Sequence, residues 1–214
     1  LSPPGFADQS QVLKPLIEQA KLAGFKKVVL MTAMGVDAVE SSPLRQSEIA
    51  LEKSGIDYNI IRPNWFMQNF NTFWLHGIQT EGRILLPVAK AKGSFIDARD
   101  IASSAVALLE SNTLKNQAFD LTGADVLDHD EVAKILTEAA GRTITYQEIT
   151  PEVMRQGLLG AGLPQDYAEM MLAILGFFKE GYSARTTNAV EQITGKKPIA
   201  FRTYAKDYAT NWKK

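Results

Sequence analysis

Apolar and polar positions along the chain fall into a repeating helix-then-strand order. Over residues 8–23, Val12, Leu16, Ala20 and Ala23 mark one helical face, with Pro15 inside it as a kink or a first turn. Gly24 ends that helix as a left-handed stop, and Lys26–Thr32 follows as a strand. Its Val28-Val29-Leu30-Met31 run is apolar without alternation, the pattern of a parallel strand covered on both faces. The next unit repeats the order. Ser42 and Pro43 supply a cap and a first helical residue, Ile49, Ala50 and Leu51 a buried side, and Ser54-Gly55 the stop before a strand over Ile56–Arg62. Two such units in succession predict an α/β fold with right-handed crossovers and a parallel sheet.

Beyond residue 63 the pattern loosens. An aromatic stretch runs from Asn64 to Trp74, and Phe66, Phe70 and Phe73 recur at helical spacing. Gly82–Val88 and Gly93–Asp97 read as short extended pieces. Asp100 caps a helix with Ile101, Ala105, Leu108 and Leu109 on one face, and Gln117–Gly123 is a further strand. Asp128 with Glu131 forms a capping box before Val132, Ile135, Leu136 and Ala139. Thr143–Ile149 is a strand, Thr150-Pro151 opens a helix, and a methionine-rich helical segment runs from Pro164 to about Gly181. Residues 188–194 form a short helix, and Phe201, Ala205, Tyr208 and Trp212 lie on one stripe of the last one. The domain expectation is a sheet domain over 1–123 with lobe insertions from about 76–97, and a substrate lobe with closing helices over 124–214.

Charge and composition narrow the partners. With 23 basic and 24 acidic side chains the net charge is -1, so no broad basic face is available for nucleic acid or an anionic membrane. The absence of cysteine excludes disulfides and thiolate chemistry and suits a reducing compartment. No apolar run approaches the ~20 residues that span a bilayer, and no secretory leader is visible. The expected setting is the cytoplasm, as a monomer or homodimer.

Few residues carry chemistry alone. His129 lies in the capping sequence LDHDE and is expected at an exposed first turn; His76 has no second histidine to build a metal site. The acidic run Asp125–Glu131 lacks the spacing of a calcium loop. No G-x-S-x-G elbow, P-loop or strand-following G-x-G-x-x-G occurs, and the glycines of 157–163 follow a helix. Trp65, Phe66, Phe70, Phe73 and Trp74 are either core or pocket wall. Asn64 and Trp65 come directly after the strand-ending Arg62-Pro63, where a parallel sheet opens at its carboxyl edge. A ring and an amide there suit a planar heterocycle.

RQSE at 45–48, SGI at 54–56, RPNWFMQNF at 62–70, FIDARDIA at 95–102, FDLTG at 119–123, and TGKKP followed by FRTYAKDYA together resemble the NmrA-like group of atypical short-chain dehydrogenases. Within that group the chain resembles the triphenylmethane-dye and NADPH-quinone reductases. The resemblance implies a Rossmann-like parallel sheet, a small C-terminal α+β substrate lobe, and NADP or NAD as cofactor, with NADP ahead. In that group the phosphate-binding turn lies on the first two βα units. Leu1-Ser2-Pro3-Pro4 is similar to the exit of the fourth strand, so the N-terminal βα units are expected to be absent here, with roughly seventy or more residues of a complete domain preceding Leu1.

By the same resemblance, Ser2 and Pro3 line the adenosine side of the groove. Thr32, Ala33 and Met34 meet the nicotinamide ribose, and Pro63, Asn64, Trp65 and Phe66 face the nicotinamide. Met34, Trp65 and Phe70 are the expected substrate contacts, while Arg99 and Asp100 are structural. Where the group carries histidine or lysine just before RQSE, this chain has Leu44, which neither donates a proton nor hydrogen-bonds a ribose. The catalytic group is therefore unassigned. The expected function is NAD(P)H-dependent reduction of a planar electrophile such as a quinone or dye; the alternatives are a non-catalytic NAD(P)-binding redox sensor and a chain that binds no dinucleotide.

Overall fold

Strand β2 (Asp57–Pro63) shows why the first unit folds as it does. From Asn59 to Pro63 every residue is buried, since β2 lies between β1 (Lys27–Met31) and β4 (Gln117–Leu121) in a parallel three-stranded sheet. The computed structural model describes residues 7–213. Leu30 pairs with Ile60 and Ile61 with Phe119, so the central strand meets apolar neighbours on both edges. Helices α1 (Ser10–Leu22) and α2 (Pro43–Glu52) supply Leu13, Ile17 and Leu51 to a cluster with Leu30 and Ile60. Pro15 sits inside α1 rather than opening it. Helix α4 (Ala98–Glu110) starts two residues before Asp100, which stands in its first turn. Lys27 Nζ anchors the other end of α4, donating to the Ser111 and Leu114 carbonyls at 2.9 Å each and also to Leu108. Of the three, the Leu108 carbonyl is one that a helix end leaves open, and the ammonium satisfies it.

This unit spans residues up to Asn64, with 99–121 and 187–197; the last segment carries α8 (Ala189–Thr194). The second unit comprises 65–98, 122–186 and 198–214. It contains α3 (Leu75–Glu81), β3 (Arg83–Leu86), α5 (His129–Ala140), β5 (Thr145–Glu148), α6 (Pro151–Gly160), α7 (Gln165–Lys179) and α9 (Phe201–Asp207). β3 and β5 form a parallel pair. The Asp128–Glu131 capping box is present, with both hydrogen bonds at 2.9 Å, and Thr150 caps α6.

Aromatic rings dominate the second core. Phe70, Phe95, Phe178, Phe201, Tyr204 and Trp212 are all essentially inaccessible. Phe70 meets Phe95 and Phe201 edge-on at 5.4 and 5.5 Å between ring centroids, the arrangement the ring quadrupole favours. Trp212 Nε1 donates to the Phe70 carbonyl at 2.8 Å, so its one polar group is paired. Residues 93–97 form no strand; they are tied by single bridges, Gly93 to Leu127 and Ile96 to Phe66.

Two expectations change here. His129 is not an exposed first-turn residue: it is 1% exposed, and Phe70, Trp74, Phe95, Tyr146 and Phe178 surround it at 5.3–6.1 Å. It opens the buried stripe His129, Val132, Ala133, Leu136, Ala140, so helical spacing places it inward. The Phe66–Phe70–Phe73 stripe also divides: Phe70 is core, whereas Phe73 is 45% exposed, because a 3-10 turn over Met67–Asn71 breaks the helical spacing.

Candidate functional site

The carboxyl edge of the first unit is built by strand ladders that continue past the strands. Thr32 N donates to the Ile61 carbonyl at 3.0 Å and Met34 N to the Pro63 carbonyl at 3.1 Å. Asn64 N donates to the Leu121 carbonyl at 2.9 Å. Ala33-Met34 and Pro63-Asn64 are thus held side by side at the edge where parallel sheets bind ligands. Ala33 and Met34 are half-buried, whereas Thr32, Pro63 and Asn64 are buried. Gly35 turns the chain away with a φ of 89°, a conformation open to glycine.

Beneath this edge lies a charged cluster that links two of the quoted motifs. Glu48 of α2, fully buried, accepts from Arg62 Nε at 2.9 Å, Arg62 Nη2 at 2.7 Å, Thr32 Oγ1 at 2.7 Å and Arg45 Nη1 at 2.9 Å. Arg62 Nη1 donates to Asp37 at 2.8 Å. Burial alone would raise the Glu48 pKa, but the bonds from Arg62, Thr32 and Arg45 outweigh it and hold the carboxylate below its ordinary range. Burial opposes the charge on Arg62 too, and its carboxylate partners more than restore it. The RQSE and RPNWF motifs therefore meet as a forked ion pair, a link the sequence reading had not assigned. Its signal was present: Glu48 shares a buried helix face with Ser47 and Leu51, and a carboxylate there needs a cationic partner.

Thr32 accordingly turns its hydroxyl toward Glu48. Leu44 packs against the Leu13, Ile17, Leu30, Leu51 and Ile60 cluster, so this position carries an apolar core contact. In the second unit Trp65 and Trp74 stack at 6.1 Å with 26° between their planes, and Phe178 meets Trp65 edge-on at 5.5 Å. Trp65 and Phe66 are half-buried, and Phe70 is enclosed in the core. Ser2 and Pro3 lie outside the described residues.

The sequence profile of the NmrA-like family matches residues 8–208. The chain belongs to the NmrA-like family. Among curated proteins it is 34% identical over 208 residues to an NAD(P)H azoreductase of Xenophilus azovorans, a match covering 94% of this chain and 72% of that one. The NADPH-dependent quinone oxidoreductase of Escherichia coli, solved with NADPH, superposes with a TM-score of 0.83 at 19% identity, over 96% of this chain and 74% of that one. The triphenylmethane reductase of Citrobacter sp., solved with NADP(H), gives 0.79 at 20% identity, over 95% and 73%. At that identity the two structures establish the fold, and this NmrA-like chain has the Rossmann-type α/β architecture.

The donor set at the edge tests whether a dinucleotide fits. Ala33, Met34 and Pro63 are uncharged, and Arg62 is committed to carboxylates. Among the described residues these groups suit the neutral nicotinamide-ribose end; no phosphate-holding cation stands with them.

Proposed function

We propose that this NmrA-like protein is an NAD(P)H-dependent oxidoreductase that reduces a planar electrophile, a quinone or azo or arylmethane dye, with NADP(H) ahead of NAD(H). The observation that carries the reading is the order Pro63-Asn64-Trp65 at the end of β2. It places a buried amide on the carboxyl edge of a parallel sheet and continues into a half-buried indole stacked on Trp74. Reduced nicotinamide supplies a hydride when bound. The chain's own part is positioning: Ala33-Met34 and Pro63-Asn64 set the ring's place, and the Trp65 indole offers a flat apolar face.

No proton donor is required of residue 44. Leucine there packs against the first core cluster, so a quinone reduced by hydride takes its proton from solvent. The same leucine supports a second reading, a redox sensor that binds the dinucleotide without turning it over. Fluorescence titration of the purified protein with NADPH and NADH, followed by acceptor addition, separates the two. Binding followed by acceptor-dependent oxidation is the expected result. Binding that discriminates reduced from oxidised cofactor, with no oxidation by any acceptor, would transfer the assignment to the sensor.

A further inference from the structure

We propose that Asp37, Arg62 and Glu48 form a positioning device that sets the spacing of the Ala33–Gly35 turn and the Pro63-Asn64 segment at the sheet's carboxyl edge. This rests on the reading of that edge as the nicotinamide end. All participants belong to the first unit. The turn is fastened at both ends: Thr32 on one side by its hydroxyl to Glu48 at 2.7 Å, Asp37 on the other by Arg62 at 2.8 Å. Between these, the backbone bond from Met34 N to the Pro63 carbonyl joins the turn directly to β2.

The guanidinium that holds Asp37 belongs to the residue immediately before Pro63. A single side chain thereby couples the turn after β1 to the segment after β2. Its orientation is fixed by the two-bond fork onto Glu48. Arg62 also lies 3.9 Å from Asp120, the penultimate residue of β4, so the third strand end feels the same charge. Glu48 is held in turn by Arg45, which also pairs with Glu52 at 2.7 Å.

A buried ion pair of this kind is weak evidence for stability, since an apolar pair of similar volume often stabilises as well. What an apolar pair lacks is direction. Leucine and methionine would fill the volume of Glu48 and Arg62, but neither would hold Asp37 or Thr32. The pair is explained by geometry at the edge better than by stability. The side chain of Asp37 is 45% exposed, so its ion pair contributes little to folding. Its loss is expected to act chiefly on the turn.

The test uses Asp37→Ala, Asp37→Asn and the double variant Glu48→Leu/Arg62→Met, each compared with the unchanged protein in three readouts: melting temperature, NADPH titration, and amide hydrogen exchange over residues 33–38. Asp37→Ala is expected to melt with the unchanged protein, to bind NADPH about tenfold more weakly, and to exchange faster over 33–38. Asp37→Asn, whose amide oxygen still accepts from Arg62, is expected to restore most of the affinity. The double variant is expected to remain folded and to bind more weakly than Asp37→Ala. Unchanged exchange over 33–38 in Asp37→Ala would overturn the proposal, as would wild-type affinity in that variant or in a folded double variant. If the unchanged protein fails to bind NADPH, the functional reading fails; the exchange result then still decides whether Asp37 holds the turn.

Discussion

Replacing His129 with leucine should abolish an acid-side loss of stability expected of the wild-type protein between pH 6.5 and about 4.5. His129 is enclosed by five aromatic rings, and neither ring nitrogen has a hydrogen-bond partner among the described residues. Burial pushes its pKa down from 6.5 to about 4, the nearby Asp130 carboxylate opposing only weakly. Tyr146 faces it as well, with its hydroxyl donating to the Leu86 carbonyl and its own pKa pushed up to about 12 by burial, so it stays neutral throughout.

The depressed group is a base. Above pH 6.5 it is neutral both folded and unfolded, and its contribution is independent of pH. Below 6.5 only the unfolded chain takes up the proton, so stability falls until the folded pKa is reached near 4. At 1.36 kcal/mol per pH unit, two units cost about 3 kcal/mol, a large share of the ~5–15 kcal/mol that holds a typical domain. The buried Glu48 carboxylate, held below its ordinary 4.5, begins to lose its contribution only beneath this window. Urea unfolding at pH 7, 6 and 5 should therefore show a decline in the unchanged protein and little in His129→Leu. The leucine variant should also equal or exceed the parent at pH 7, because it removes two buried nitrogens that have no hydrogen-bond partner among the described residues. A flat wild-type profile, or a decline that persists unchanged in His129→Leu, would refute the reasoning.

Three further outcomes are expected. Gly123→Ala would place its Cβ 1.7 Å from the Phe95 carbonyl oxygen, a backbone atom with no side-chain freedom, and should cost about 3 kcal/mol or more, measured by urea unfolding or seen as insoluble expression. Asp128→Ala removes half of the capping box at the start of α5 and should lower stability by about 1 kcal/mol in the same assay. Trp65→Leu should raise KM for a quinone or dye about tenfold while the NADPH dissociation constant stays within about twofold, as steady-state kinetics and titration would show.

Local grammar made the elements legible. Glycine stops at Gly24 and Gly55, the proline at Pro43 and the unalternating runs around Leu30 and Ile60 located helix, strand and parallel pairing within a residue or two. Features that depend on distant neighbours were harder to read. Residues 93–97 have an extended composition, yet each end finds only a single bridging partner. His129 occupies the first turn that the capping box requires, but whether that turn faces outward depends on rings contributed by residues 70–95 and 146–178. The Glu48–Arg62 fork joins two motifs that sequence similarity presents separately, because the pattern predicts the helix-strand unit but not which side chains of α2 and β2 meet. Asn64 and Trp65 were legible as the residues that follow β2, while the enclosure of Phe70 and the packing of half-buried Leu44 against the first cluster required the packed structure.

The most direct measurement is steady-state oxidation of NADPH by the purified protein with a panel of quinones, azo dyes and arylmethane dyes, following cofactor and acceptor together. NADPH and a two-electron acceptor are expected to disappear one for one, in a reaction that depends on the protein and is weakened by Trp65→Leu. NADPH that binds but is consumed with no acceptor in the panel would contradict it.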